Sequence, residues 1–319
     1  MSSIINLKQI KSLLKNIDII ESMEVGFIKY SNGKTVVPPV GELLFYNPPG
    51  DVHIKYGYIK DEKYYVIKIA SGFYENHKLG IPSGQGLMLL FNQKTGELES
   101  VLLDQGHLTN VRTAAAGALA VKYFGPKKIN GIGIIGSGVQ ARMQLEYINK
   151  INSCKNVWIW ARDTENAMKL KLELDNNFDV KIASSTLELA QKTNLIITTT
   201  AAQKPLLKAK DINKGTLIVA VGSDTENKQE LESKILNNAD LIISDSIPQS
   251  KSRGEIFKAV SSGMISNDKV IELGNAIQDV NLQRTDKNQV IVVDLTGVAV
   301  QDIMIASSVY ESFIEQNIN

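Results

Sequence analysis

Apolar residues recur along this chain at two different periods, and the places where the period changes mark its organisation. Leu7, Ile10, Leu13 and Leu14 repeat at helical spacing, and Ile19, Ile20, Met23 and Phe27 continue the pattern in a second segment, which predicts two short helices at the start. Beyond Val36 to Val40, which carries Pro38 and Pro39, the period drops to two. His53 to Ile59, Lys63 to Ala70, Gly86 to Phe91 and Glu97 to Leu103 alternate, with a hairpin loop at Gln93 to Gly96, and together they predict an antiparallel sheet. Leu108 to Phe124 is apolar nearly all round and predicts a buried helix. After the Gly125-Pro126 break, strand and helix patterns alternate. Strands are expected at Ile132 to Ile135, Val157 to Trp160, Val180 to Ala183, Leu195 to Thr199, Leu217 to Val221, Leu241 to Ser244 and Val290 to Val293. That rhythm is the signature of an α/β fold with a doubly wound, mostly parallel sheet and right-handed crossovers. Asp302 to Ile318 predicts a terminal helix.

The first strand of the alternating half runs into a glycine turn that opens a helix, Asn130-Gly-Ile-Gly-Ile-Ile-Gly-Ser-Gly-Val-Gln-Ala. Two registers match a dinucleotide fingerprint. Gly131-x-Gly133-x-x-Gly136 would put the turn before the strand has formed. Gly136-x-Gly138-x-x-Ala141 puts it where the strand ends, with Gly136 for the tight bend, Gly138 for close approach of a pyrophosphate and Ala141 for packing of helix on sheet. The second register is the physically sensible one. The first amides of the helix it opens lack backbone partners and face the phosphates.

Composition narrows the partners. A length of 319 residues accommodates about two domains, and 35 Lys plus Arg against 34 Asp plus Glu leaves neither a basic face for nucleic acid nor one for an acidic membrane. The single cysteine, Cys154, precludes an internal disulfide and suits a small buried hydrophobe in a reducing cytoplasm. The N-terminus has no basic segment leading into an apolar one, and no stretch reaches the length of a membrane span. His53, His77 and His107 lie far apart, beside no cysteine or carboxylate at ligand spacing, so no metal site is expected.

Several polar residues stand where chemistry is expected. Lys68 shares a strand face with Tyr64, Val66 and Ala70; its ammonium either snorkels to the sheet edge or meets an anion. Arg112 sits in the first turn of the buried helix, where the helix's own amides also favour negative charge. Its partner is either an anionic ligand or a structural carboxylate such as Asp104. The second strand of the parallel sheet ends Trp160-Ala161-Arg162-Asp163. An acid for a ribose hydroxyl is missing at Ala161, and Arg162 suggests a 2′-phosphate and hence NADP, unless it is a solvated surface residue and Asp163 one step later matters more. Thr200 follows the fourth strand and either meets a ribose or closes a turn. After the fifth, Ser223-x-x-Glu226 fits a capping box with Asp224 adding charge to a first helical turn, or Asp224 is an acid in a site.

Taken together these motifs resemble the ornithine cyclodeaminase and mu-crystallin family across nearly the whole chain. The resemblance rests on Val66 to Gly72, Gly80-Ile81-Pro82-Ser83, Leu108 to Ala115, Gly136 to Ala141, Ala220-Val221-Gly222-Ser223-Asp224 through Lys228, Gly254-Glu255-Ile256, and Val293 to Gly297. It implies an α+β substrate-binding and dimerisation domain over residues 1–118, completed by 300–319, around a Rossmann-type dinucleotide-binding domain over 119–299. It also implies that Lys68 and Arg112 hold an amino-acid carboxylate beside the nicotinamide, with Thr296 near the substrate and Asp224 exchanging the proton at the amine. Ser83, Gly136, Gly138, Val139, Gln140, Thr200, Gly222, Ser223 and Lys228 would then line the cofactor, with Arg162 at its 2′-phosphate.

What the resemblance implies for function is an NAD(P)-dependent enzyme acting as a homodimer at the α-carbon of a small amino acid or imino acid; the lone cysteine and the N-terminus add a cytoplasmic location, and Ala161-Arg162 favours NADP over NAD. The lead reaction is L-ornithine to L-proline plus ammonia; the alternatives are a cyclic imino-acid reductase or amino-acid dehydrogenase, and an NADPH-dependent binder of small ligands as in mu-crystallin. One departure bears on the choice. Ornithine cyclodeaminases carry a carboxylate-gripping arginine upstream of the lysine strand, and the corresponding Pro38-Pro39-Val40-Gly41-Glu42 has none.

Overall fold

The computed structural model describes residues 2–73 and 75–318. They form two compact units, residues 1–112 with 298–319 and residues 113–297.

The first unit contains β1 (Ser3–Asn6), α1 (Leu7–Leu13), α2 (Ile19–Ser31), β2 (Thr35–Val36), β3 (Gly41–Tyr46), β4 (Pro49–Ile59), β5 (Tyr64–Phe73), β6 (Gly84–Asn92) and β7 (Leu98–Leu103). The start of α3 (His107–Phe124) and the terminal α10 (Ala299–Ile318) also belong to it. Both early helices begin where the sequence offers caps: Asn6 and Gln9 form a reciprocal capping box on α1, and Asp18 accepts from the Glu21 amide on α2. The sheet runs β1-β7-β6-β5-β4-β2, with β3 paired to β4. All pairs are antiparallel except β1 with β7. Helix α10 packs along α2, β4 and β5, and Tyr310 meets Tyr64 edge-on at 5.4 Å. Met23, Phe27, Val66, Met88 and Leu90 are buried in this core.

The alternating stretches of the sequence correspond to β4 through β7. Three short strands carry no such signal, for physical reasons. β1 buries a single residue, β2 has only two, and β3 is exposed along almost its whole length, so its side chains show no alternation of burial to imprint on the sequence.

The second unit holds the rest of α3, then β8 (Ile132–Ile135), α4 (Val139–Ile148), β9 (Asn156–Trp160), α5 (Thr164–Leu174), β10 (Asp179–Ile182), α6 (Thr186–Lys192), β11 (Leu195–Thr198) and β12 (Leu217–Ala220). It continues with α7 (Ser233–Asn238), β13 (Leu241–Ser244), α8 (Gly254–Ser261), β14 (Val270–Glu272), α9 (Leu273–Gln278) and β15 (Ile291–Asp294). The strand order is β10-β9-β8-β11-β12-β15-β13-β14, and every pair is parallel. This is the α/β, doubly wound architecture of a Rossmann-type fold. Each residue of β8, β11, β12 and β15 is buried, which is why these strands read as unbroken apolar runs. From β8 the chain winds out one way through β9 and β10, then returns to β11 on the other side. That reversal makes the β8/β11 crevice the topological switch point, the place where ligands bind in such sheets.

Candidate active site

The glycine turn lies at the switch point in the second of the two registers. Strand β8 ends at Ile135, Gly136 takes φ +127° with its amide donating to the Trp160 carbonyl at 2.8 Å, and α4 begins at Val139. A side chain at Gly136 would be strained by that φ and would strike Thr199 Oγ1 at 2.4 Å. Gly138 differs. It is the N-cap of α4 without a side-chain cap, and a Cβ built on it meets nothing within 4 Å, so open space lies over an uncapped helix end with no acidic residue in its first turn. Those features suit a pyrophosphate. Ala141 is fully buried beneath the turn, while Val139 is half exposed and Gln140 partly so. A cavity of about 340 Å³ beside the turn is lined by Ser137, Gly138, Val139, Arg142, Asn166 and Lys169, among others.

At the tip of β9, Arg162 is exposed. Asp163 is already engaged, because its carboxylate caps α5 by accepting from the amides of Glu165 at 2.9 Å and Asn166 at 3.4 Å. It is therefore a helix cap, with its lone pairs turned toward the chain.

The capping box expected at Ser223 and Glu226 does not form. No helix follows β12 until Ser233, so there are no orphan amides for those side chains to satisfy. Instead Ser223 Oγ, buried, donates to the Lys228 carbonyl at 2.9 Å, and Lys228 Nζ meets Asp224 Oδ1 at 2.6 Å. Arg253 Nη1 reaches the Asp224 carbonyl at 3.4 Å. The result is a tight loop from Gly222 to Lys228 that presents Asp224 with its side chain 40% exposed. Gly222 is there of necessity, since a Cβ would come within 2.2 Å of the Thr200 carbonyl. Thr200 donates through both its amide and its hydroxyl to Glu230 Oε1. Thr296 is buried, donates to Asp245 Oδ1 at 2.9 Å and accepts from Gln249 Nε2 at 2.8 Å.

Each of these residues follows the last residue of a parallel strand: Gly136, Gly138, Val139 and Gln140 after β8, Arg162 after β9, Thr200 after β11, Gly222, Ser223, Asp224 and Lys228 after β12, and Thr296 after β15. They gather on the carboxyl edge of one sheet. A larger cavity, about 750 Å³, opens at the opposite, amino ends of the strands beside Asn130, Asn194, Gly215 and Lys287, and contains none of them.

Lys68, Arg112 and Ser83 belong to the first unit. Lys68 does not snorkel to an edge: it sits in the interior strand β5, 2% exposed, with its Nζ 3.9 Å from Asp302 Oδ2. Arg112 is 4% exposed. Its Nε lies 3.2 Å from Asp302 Oδ1 and its Nη1 donates to Gln301 Oε1 at 3.0 Å, while Gln301 Nε2 donates back to the Arg112 carbonyl. The carboxylate beside Arg112 is thus Asp302 on α10. Asp104 instead accepts from the Leu108 amide at 2.7 Å at the start of α3, and burial, aided by the nearby Asp302 charge, raises its pKa against the pull of the backbone amides. Ser83 is exposed, and its carbonyl accepts from the Phe73 amide at 2.9 Å.

Sequence reasoning missed five buried acids, Asp302, Glu230, Asp245, Glu255 and Asp294. For Asp302 a signal existed: Gln301-Asp302 interrupts an otherwise apolar helical turn between Val298 and Ala306, and a charge on such a face needs a partner.

The family model described as ornithine cyclodeaminase/mu-crystallin matches residues 2–317. The chain belongs to this family. Among its relatives, an uncharacterised cyclodeaminase of Sinorhizobium fredii is 36% identical over 284 residues, covering 88% of this chain and 86% of that protein. The family's solved structures include Thermococcus litoralis Δ1-pyrroline-2-carboxylate reductase with NADH and L-proline. It superposes with a TM-score of 0.92 at 27% identity, over 98% of each chain. An archaeal alanine dehydrogenase dimer with bound NAD gives 0.89 at 30% identity, over 99% of this chain and 97% of that one. Among the described residues no helix is long and apolar enough to cross a membrane.

Proposed function

We propose that this chain is a nicotinamide-dinucleotide-dependent oxidoreductase that interconverts a small α-imino acid and its amino acid. The observation that carries the reading is the pair of basic side chains, Lys68 and Arg112, buried to 2% and 4% exposure around one carboxylate, Asp302. Burying two cations is costly, and a substrate carboxylate repays it by bringing an anion to both. In a site poor in water such a contact is far stronger than in bulk solvent, and it fixes the α-carbon. Asp302 and Gln301 hold the guanidinium in place from α10. Asp224 carries the proton to or from the substrate nitrogen, and Lys228 holds its carboxylate. The dinucleotide, when bound, supplies or accepts the hydride at the α-carbon. In the reductive direction the C=N bond gains that hydride at carbon and the proton at nitrogen, which balances the reaction.

The glycine turn and the uncapped end of α4 support the dinucleotide, as do the NADH and NAD held by the two solved relatives. Arg162 at the β9 tip, with Asp163 engaged as a cap, favours NADP. The edge strand β3, with Leu43 55%, Leu44 57% and Tyr46 87% exposed, supports a homodimer that covers it, and one solved relative is a dimer.

A second reading is the ornithine cyclodeaminase reaction, favoured by the Sinorhizobium relative. There the same oxidation is followed by attack of the δ-amine, loss of ammonia and return of the hydride. Pro38 to Glu42, without an arginine, weighs against it.

Cofactor stoichiometry separates the readings. Purified protein is given Δ1-pyrroline-2-carboxylate or pyruvate plus ammonium with NADPH, and separately L-ornithine with catalytic NADP, and is followed at the nicotinamide absorbance and by product analysis. Net consumption of NADPH, one per amino acid formed, is expected, with kcat/KM falling roughly a hundredfold in Arg112→Ala. Proline and ammonia from ornithine without net redox change would favour the second reading. Tight ligand binding with no turnover of any amino or imino acid would discard both.

A further inference from the structure

Glu230 lies in the extended stretch between the Gly222–Lys228 loop and α7, with no solvent exposure at all. Its carboxylate is saturated by donors from two different loops. Oε1 accepts from the Thr200 amide at 2.6 Å and the Thr200 hydroxyl at 2.7 Å; Oε2 accepts from the Thr198 hydroxyl at 2.7 Å and the Gly222 amide at 2.9 Å. The Thr200 hydroxyl in turn accepts from the Ala202 amide at 3.2 Å, which leaves its proton for Glu230. Strands β11 and β12 are neighbours, with Thr198 opposite Ala220, and Glu230 ties together the two loops that leave their ends.

The clamp is itself clamped. Glu255, in the first turn of α8, accepts the Glu230 amide at 2.6 Å and the Leu231 amide at 3.1 Å. Asp294 accepts the Ile256 amide at 2.9 Å. A row of buried carboxylates thus runs from β15 through α8 to the ends of β11 and β12. A fully buried acid is an expensive way to fill space, and an apolar residue of similar volume would cost less if filling were its only task. An ionised carboxylate does what no apolar residue can: it accepts four convergent donors and fixes the gap between two loops that at Gly222 leaves no room for a Cβ.

We propose that Glu230 is a positioning residue, which by clamping Thr200 and Gly222 fixes the loop that presents Asp224 for proton transfer. The proposal rests on the role of Asp224 in the proposed function. It differs from that reading in acting through the amides and hydroxyls of the two loops, with no contact to substrate.

The test compares wild type, Glu230→Gln and Asp224→Asn as full-length protein, with Δ1-pyrroline-2-carboxylate and NADPH as probes. In Glu230→Gln the amide nitrogen faces two donors it cannot accept. Expected are a kcat at least tenfold lower, an imino-acid KM within threefold of wild type because Lys68 and Arg112 are untouched, and faster amide exchange confined to residues 199–206 and 221–229. Glu230→Asp, which keeps the carboxylate, should recover part of the kcat. Ile265→Ala, a core truncation in the same unit, serves as the control for lost stability: it should lower Tm without the kcat loss. If Glu230→Gln cannot be produced folded, Thr198→Val, which removes one of the four donors, should still lower kcat severalfold. A kcat within twofold of wild type in the folded variant tested, or a loss matched by the core truncation at equal Tm, overturns the proposal. If wild type turns over no imino or amino acid, the functional reading fails on its own. The clamp is then decided by amide exchange: no localised increase in Glu230→Gln removes it.

Discussion

Arg162 and Asp163 stand side by side at the tip of β9, and their hydrogen bonds separate them. The Asp163 carboxylate is committed to the first amides of α5, whereas Arg162 is exposed. A 2′-phosphate would gain a charge-assisted contact from Arg162 that a bare ribose hydroxyl cannot. Arg162→Asp should therefore weaken NADPH by roughly ten- to a hundredfold, the range of one charged hydrogen bond, and leave NADH within a few fold. Fluorescence titration of both nucleotides checks it; equal losses would remove Arg162 from cofactor selection. Legibility at this scale was uneven. The glycine register could be read because it depends on neighbours in sequence. The partner of Arg112 could not, because Asp302 lies far along the chain and only folding brings the two together, while Asp104 was the nearer and more obvious candidate. The same limit applies to Ser223 and Glu226, whose spacing has the chemistry of a cap but no helix to serve.

At the scale of elements, the loops after β11 and β12 depend on one another's shape. Gly222 abuts Thr200, whose carbonyl and amide lie 2.2 Å and 2.5 Å from the place a Cβ would occupy, and neither atom belongs to a flexible side chain. Gly222→Ala must push the two loops apart and break the Gly222 amide bond to Glu230. The expected outcome is a loss of roughly 1–3 kcal/mol in stability, the usual cost of overpacking. It should be accompanied by a larger fractional loss of kcat than an equally destabilising core truncation causes. Thermal melts and kinetics on the same samples would expose a mistake, which would show as a Tm within a degree of wild type. The elements themselves were readable wherever burial imposes a period, as in β4 to β7 and in the fully buried β8, β11, β12 and β15. They were unreadable where it does not: β3 is wet along almost its whole length, and β14 is three residues on a sheet edge.

Across the molecule, the buried acids bind stability to pH in a direction opposite to that of most proteins. Burial raises Glu230 to about 7 and Glu255 to about 8 from ordinary values near 4.5, against the opposing pull of their hydrogen-bond donors. Asp294, facing Glu255 and Asp245, is pushed well above the usual carboxylate range, first by burial and then by those two charges. The other charged groups of this region are Asp224, Lys228 and Arg253 around the β12 loop. A carboxyl group whose folded pKa exceeds its unfolded one contributes stability that is fully present below the unfolded value and is lost as pH climbs through the folded value. The window here runs from about pH 4.5 to about pH 8. Stability should therefore be greatest in mild acid and decline toward pH 8.5, by an amount of order a few kcal/mol per group at most. Positioning runs the other way, because the four donors around Glu230 are all satisfied only by its ionised form. The fold is then less stable in the pH range where the clamp is complete, the trade expected of a residue retained for placement rather than for packing. Melting curves from pH 5 to 9 test the first half: Tm should fall with pH in wild type and fall less steeply in Glu255→Gln. A Tm that rises through this window would mean that the acids are ionised throughout and that their donors outweigh burial.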